Sequence, residues 1–280
     1  MKKIQGLFKQ LHALLDEEMD LKTYQEFYIL AERLLYHIND QHRYAQQEWK
    51  ESVEFFQDAN ISIPFSFGQC GNHVYWKVVD RVLYISGSGP MWDFENIDVD
   101  FTKKGVSSPW QNTDYEVVMI GHGVTSIGSE SFNCAQISNI IIPSSVKTIK
   151  TMAFFNAKIE TLILPETIET LEEQILSGFT RIADTVIVSA NIVNIRPFAF
   201  FNRNDIVANT IVLTGTLPLD LKPMVDSCLF DDVGRYKIYY PEEWDNAKES
   251  FIEKLLPKFP DSDGTFLQNL KKALIPYKMP

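Results

Sequence analysis

Five histidines, His12, His37, His42, His73 and His122, are the first residues in this chain to weigh for chemistry. None stands beside a cysteine or carboxylate at metal-ligand spacing. His37 and His42 are five apart, whereas a zinc pair on one helix face needs four. Asp93, Glu95, Asp98 and Asp100 are dense enough to suggest calcium, but they lack the glycine and closing glutamate of an EF-hand loop and read as a solvated loop. The "GSG" of "GSGPMWDF" follows a strand pattern and opens no helix, so it is not a phosphate cradle. There is no Gly-x-Ser-x-Gly, and no serine or cysteine has a local activating partner. The expectation is no catalytic residue, no metal and no cofactor, hence no enzyme.

The remaining chemistry is surface chemistry. With 26 Lys and Arg against 37 Asp and Glu, the 280-residue chain carries −11 and shows no basic cluster, which argues against nucleic acid. The three cysteines, Cys70, Cys134 and Cys228, are too sparse for a disulfide framework and read as small buried thiols. No stretch approaches a membrane span. The N-terminal apolar run is broken by Lys9 and His12 and closed by Asp16, Glu17 and Glu18 without a cleavage site. A cytoplasmic location is therefore expected.

The elements that would position any surface come from an internal repeat. Pro143 and Pro165 stand 22 apart, and three apolar columns keep the same step. They are Val124, Val146 and Ile168; Ile127, Ile149 and Leu171; and Phe132, Phe154 and Leu176. A fourth copy, Ile192, Ile195 and Phe200, follows after 24. Each unit alternates with period 2 up to the proline, as a strand does. The proline, with no N–H to give, then ends the ladder. Such a unit cannot bury its own apolar side, so neighbours stack into a solenoid.

"GVTSIGSESFNCAQISNIIIPSSVKTIKTMAF" (123 to 154) resembles the BspA-like leucine-rich-repeat family. "GQCGNHVYWKVVDRVLYISGSGPMWDF" and "SSPWQN" resemble the β-rich segment that precedes such repeats in proteins of gut and oral bacteria. The resemblance covers about residues 68 to 241. It implies protein binding or adhesion, at the cell surface or secreted, which is the alternative to the cytoplasmic reading. The chain departs from the family at residues 214 to 232, where the columns are lost, and it lacks the usual leader. Asp80-Arg81, where a glycine turn is usual, predicts a longer hairpin loop.

The ends read as helices. Ile4, Leu7, Phe8, Leu11, Leu14 and Leu15 form one stripe. A capping box, Thr23 to Glu26, precedes a second of Phe27, Leu30, Ala31, Leu34, Leu35 and Ile38. A third run holds Ala45, Trp49, Val53 and Phe56. This segment is expected either to cap the solenoid or to dock separately. "YKIYYP" (236 to 241) repeats the strand-then-proline signature, and "EEWDNAKESFIEKLL" and "TFLQNLKKAL" read as helices of a terminal cap.

The expected fold is α+β: a short right-handed leucine-rich-repeat solenoid of 22–24-residue units. Its parts are a helical segment (1–58), a β-rich lead-in (60–116), repeats (117–241) and a helical cap (242–280). In each repeat strand the residue between two core columns must point outward. Those residues are Met119, Ile141, Ile163, Ile187, Val212 and Tyr239, all apolar, and they predict an exposed ladder that recognises a protein partner or a second copy. Strand propensity alone would also explain β-branched residues there. The rival is a carbohydrate or cell-wall module using Trp76, Trp92 and Trp110; an enzyme in the helical end is a remote third.

Overall fold

The computed structural model describes residues 67–79, 81–94, 108–110, 114–178, 182–201, 207–218, 222–229, 234–247, 252 and 265–277. The lead-in strands are β1 (Phe67–Gly71), β2 (Val74–Val79), β3 (Val82–Gly87) and the two-residue β4 (Gly89–Pro90). Each repeat then gives a long strand and a short one: β5 (Asp114–Ile120) with β6 (Val124–Ile127), β7 (Gln136–Ile141) with β8 (Thr148–Ile149), β9 (Lys158–Ile163) with β10 (Thr170–Leu171), and β11 (Ala183–Ser189) with β12 (Asn194–Ile195). β13 (Ala208–Thr214), β14 (Lys237–Pro241) and β15 (Leu274–Tyr277) complete the set.

The long strands form one ten-stranded sheet in the order β1-β2-β3-β5-β7-β9-β11-β13-β14-β15, parallel from β3 onward. The short ones form a second sheet, β12-β10-β8-β6-β4. The core lies between the sheets and the turns that join them. Val118 and Ile120, Ile140 and Ile142, Leu162 and Leu164, and Val186 and Val188 enter it from the large sheet. Ile127, Ile149, Leu171 and Ile195 enter from the small one.

The repeat period becomes geometry at each corner. After Pro143 and Pro165 the chain turns tightly, Val146 N–H donating to the Pro143 carbonyl and Ile168 N–H to the Pro165 carbonyl, each at 3.0 Å. At the far corner Glu130, Met152, Gln174 and Phe198 all sit in the left-handed region, φ between 51° and 62°. L-residues adopt that region at a cost. The stacked corner holds them there, with Phe132 N–H on the Ala153 carbonyl and Phe154 N–H on the Ile175 carbonyl.

Three expectations change. The fold is mostly β, a solenoid of about five turns, not α+β. The helical segment 1–58 lies outside the described residues. The helical cap of 242–280 is not supported, because the described C-terminal residues end in a strand. Glu242–Ala247 is a 3-10 turn, Thr265–Ala273 a nine-residue helix (α2, after the short α1, Lys222–Asp226), and β15 then extends the sheet beside β14. Pro276 is tolerated because β15 is the last of the described strands in the sheet order, paired only with β14 among them. The Asp80-Arg81 hairpin is tight, since Val79 pairs with Val82, and Arg81 accepts φ 64° where glycine is usual. β3 also pairs directly with β5, so the lead-in and the repeats share one sheet.

Candidate functional site

The outer face of the large sheet carries three rows. The first runs in register through Tyr84, Met119, Ile141, Ile163, Ile187, Val212, Tyr239 and Ile275. It contains all six residues singled out from the sequence, plus Tyr84 and Ile275, which lie outside the repeat columns. The second row is Val82, Val117, Asn139, Thr161, Thr185, Thr210 and Lys237. The third is Glu116, Ser138, Glu160, Asp184 and Asn209, which the ladders pass over with the register unchanged on either side. Asn209 Nδ2 donates to Asp184 Oδ1 at 3.2 Å across this row.

The expected exposure of the ladder is corrected. Met119 is 2% exposed, Ile141 5%, Ile163 9%, Ile187 9% and Val212 2%, and Tyr239 is half-buried. None of the six belongs to the core cluster between the sheets, so they are buried on the opposite face. Val117, Asn139, Thr161 and Thr185 of the second row are buried as well. In the third row Glu116, Glu160, Asp184 and Asn209 reach water.

Two electrostatic details mark this face. Asn139 is 5% exposed, and its Oδ1 is buried without a hydrogen-bond partner. An unsatisfied buried acceptor of that kind costs about 1–3 kcal/mol. At the lead-in end Lys77, which pairs with Tyr84, holds its ammonium 5.3 Å from that ring's centroid, and burial lowers the ammonium's pKa. Along the strand starts an open groove of about 610 Å³ is lined by Arg81, Asp114, Gln136, Lys158, Glu160 and Asp184 among others.

The tryptophans divide. Trp76 and Trp110 are interior, their rings 5.7 Å apart edge-on, and Trp110 Nε1 donates to the Ser131 carbonyl at 2.8 Å. Among the described tryptophans only Trp92 is open, 42% exposed, with Nε1 on Asn72 Oδ1 at 3.2 Å. Asp93 is held by Lys150 and Ser129. Glu95, Asp98, Asp100, His12, His37 and His42 lie outside the described residues. Among the described residues no His, Cys, Asp and Glu group could hold a metal ion. No described helix is long and apolar enough to cross a membrane.

Residues 107–216 match the family described as BspA type leucine rich repeat region, in six copies. No curated protein matches the chain. Two solved structures resemble it at 14% identity. One is a leucine-rich repeat protein from Eubacterium ventriosum (54% of this chain, 45% of that one, TM-score 0.32). The other is the pneumococcal vaccine antigen PcpA (53% of this chain, 50% of that one, TM-score 0.29). The chain therefore spans about half the length of each.

Proposed function

We propose, from the premise that this chain carries a BspA-type leucine-rich repeat region, that it is a non-enzymatic protein-recognition module of the interaction or adhesion type. The outer face of its large sheet receives an apolar segment. The partner-binding residues in this reading are Met119, Ile141, Ile163, Ile187, Val212 and Tyr239. One observation carries it: these six share one register on the face away from the core, and five are buried there. A row that only reflected strand propensity would stand in water. Burial of the row means that it makes apolar contacts, the kind of contact a partner segment would make in their place.

The rows divide the work. The apolar row supplies area, about 1.5–3 kcal/mol for each large side chain fully buried. The Asn139 acceptor and the exposed carboxylate of Glu160 supply direction, since a mismatched partner leaves the first unpaired or repels the second. Interior placement of Trp76 and Trp110 weighs against sugar stacking, which needs aromatic faces in solvent. The family's usual setting, cell surface or secreted, fits an adhesion role.

The test is capture of partners from the native cells by the full chain, with and without Ile163→Lys and Ile187→Lys. The expected result is loss of one specific protein from the variant's captured set, at a temperature where circular dichroism shows the variant still folded, its unfolding midpoint lowered because both lysines enter a buried row. Identical captured sets would overturn the reading.

A further inference from the structure

We infer that the Trp92 ring, at the lead-in end of the solenoid, is a carbohydrate subsite that stacks on one neutral hexopyranose unit of an oligosaccharide. Trp92 lies outside the matched repeats and outside the rows of the large sheet, so the site is independent of the recognition reading.

Trp92 follows β4, the end strand of the small sheet, and its N–H donates to the Cys70 carbonyl at 2.7 Å. The next two residues are tied to the first repeat. Asp93 Oδ1 accepts from the Ser129 N–H, and Phe94 N–H donates to the Ser129 carbonyl, each at 2.9 Å. The indole is braced separately by Asn72 and His73, the turn between β1 and β2, with Nε1 donating to Asn72 Oδ1. That turn is itself pinned. Gln69 Nε2 donates to the carbonyls of Gly71 and Asn72 at 2.8 and 2.9 Å, and Ser88 N–H to the His73 carbonyl at 2.9 Å. Backbone and ring are thus both fixed, yet the aromatic face stands in water. A ring held in place loses little freedom when a ligand lands on it.

The surroundings select the ligand. One face of a pyranose ring is lined by C–H groups and matches an indole, while its hydroxyls need donors and acceptors at the rim. Asn72 spends Oδ1 on the indole and keeps its Nδ2 hydrogens free among the described residues. Asp93 Oδ2 accepts from Lys150 and, on an exposed residue, has lone-pair capacity left for a hydroxyl. His73, exposed in the same turn, adds a ring that donates and accepts. A protein hot spot would instead set the tryptophan among further apolar contacts. The other exposed large apolar side chains among the described residues, Val193 and Phe198, lie at β12 and just after it, the opposite end of the small sheet from β4. The chain's charge of −11 repels uronic and sialic acids, which favours a neutral sugar. Units of glucose or N-acetylglucosamine configuration, with their ring substituents equatorial, present the flattest C–H face.

The experiment titrates the full, isotope-labelled chain with two uncharged probes, cellotriose and triacetylchitotriose, and reads the indole N–H resonances by NMR. The Trp92 resonance is the one lost in Trp92→Tyr. The expected result is a saturable shift of that resonance with at least one probe, while those of the interior Trp76 and Trp110 stay in place. By calorimetry Trp92→Ala should weaken binding at least about tenfold, as loss of a tryptophan anchor does. Trp92→Tyr, which keeps a stacking ring, should retain most of it, and Asn72→Ala should fall between the two. Should Trp92→Ala lower the unfolding midpoint too far to be measured, the parent's shifts and Asn72→Ala decide. No saturable shift with either probe, the same shift with glycerol, or undiminished binding by Trp92→Ala would overturn the inference. Loss of a captured protein from Trp92→Ala, with no sugar response in the parent, would make the ring a protein anchor and overturn it as well.

Discussion

The rings of Phe132 and Phe154, one repeat apart, are stacked with 5.4 Å between centroids and 9° between planes. Both are fully buried, and Trp110 continues the column on the lead-in side, 5.9 Å from Phe132. Each turn of the solenoid is thus held by the next. Phe154→Ala would empty a site walled on both sides and should cost about 3–5 kcal/mol. Ile149→Ala and Leu171→Ala, paired neighbours in the small sheet, should each cost about 2–5 kcal/mol. Thermal or urea unfolding of the full chain decides it. A midpoint within error of the parent would mean the side chain is not where the register puts it.

The columns were legible because a repeat ties side-chain direction to spacing. Ile127, Ile149, Leu171 and Ile195 face inward for the same reason, copy after copy. The alignment of Met119 with Ile141, and of Ile187 with Ile163 and Val212, followed from the same alternation. Their burial did not, because cover on a face comes from elsewhere in the chain and leaves no mark on the strand. The left-handed corner at Met152 was hidden too, since no glycine marks it and only the stacked neighbours impose it. Pro276 disguised β15: a proline argues against a strand except at an edge, and edges are set by the whole sheet. Trp76 and Trp110 had the right residue type for sugar binding, but type does not say which way a side chain points.

Gly128 marks a close approach between repeat and lead-in. A Cβ added there would sit 1.8 Å from the Trp92 carbonyl oxygen, which is backbone and cannot rotate away. Gly128→Ala must therefore push the Trp92 segment off the first repeat. The expected cost is at least about 1–3 kcal/mol, as for overpacked cores. The loss should be accompanied by a change in tryptophan fluorescence. Parent-like stability would show that the lead-in does not rest on this corner.

Burial pushes the Cys70 thiol well above its ordinary value, and burial, reinforced by the nearby Glu130 carboxylate, also raises Cys134 against an opposing hydrogen bond from Asn156. The thiolate is the reactive form, so both cysteines should alkylate slowly in the native protein at pH 8. Cys70, fully enclosed, should be the slower of the two and should react at the rate of a free thiol only after unfolding. Peptide mapping after timed iodoacetamide treatment reads each site. Rapid native labelling of Cys70 would show that the lead-in opens readily.

Asp93 ties the lead-in to the second corner of the solenoid. Its Oδ2 accepts from Lys150 Nζ at 2.8 Å, and its Oδ1 accepts from the Ser129 N–H at 2.9 Å. Partial burial works to raise its pKa, but the Lys150 and Ser129 hydrogen bonds together outweigh it, and the net shift is downward. A carboxylate with a depressed folded-state pKa stabilises the fold above its unfolded pKa, about 3.9, and that contribution is lost as pH falls through the folded value. The pair is open to solvent, so the contribution is small, about 0–1 kcal/mol. Asp93→Asn should lower the unfolding midpoint slightly at pH 7, by less in high salt, and parent and variant should converge as acid protonates Asp93. A deficit that persisted unchanged in acid would place the effect in packing at this corner rather than in charge.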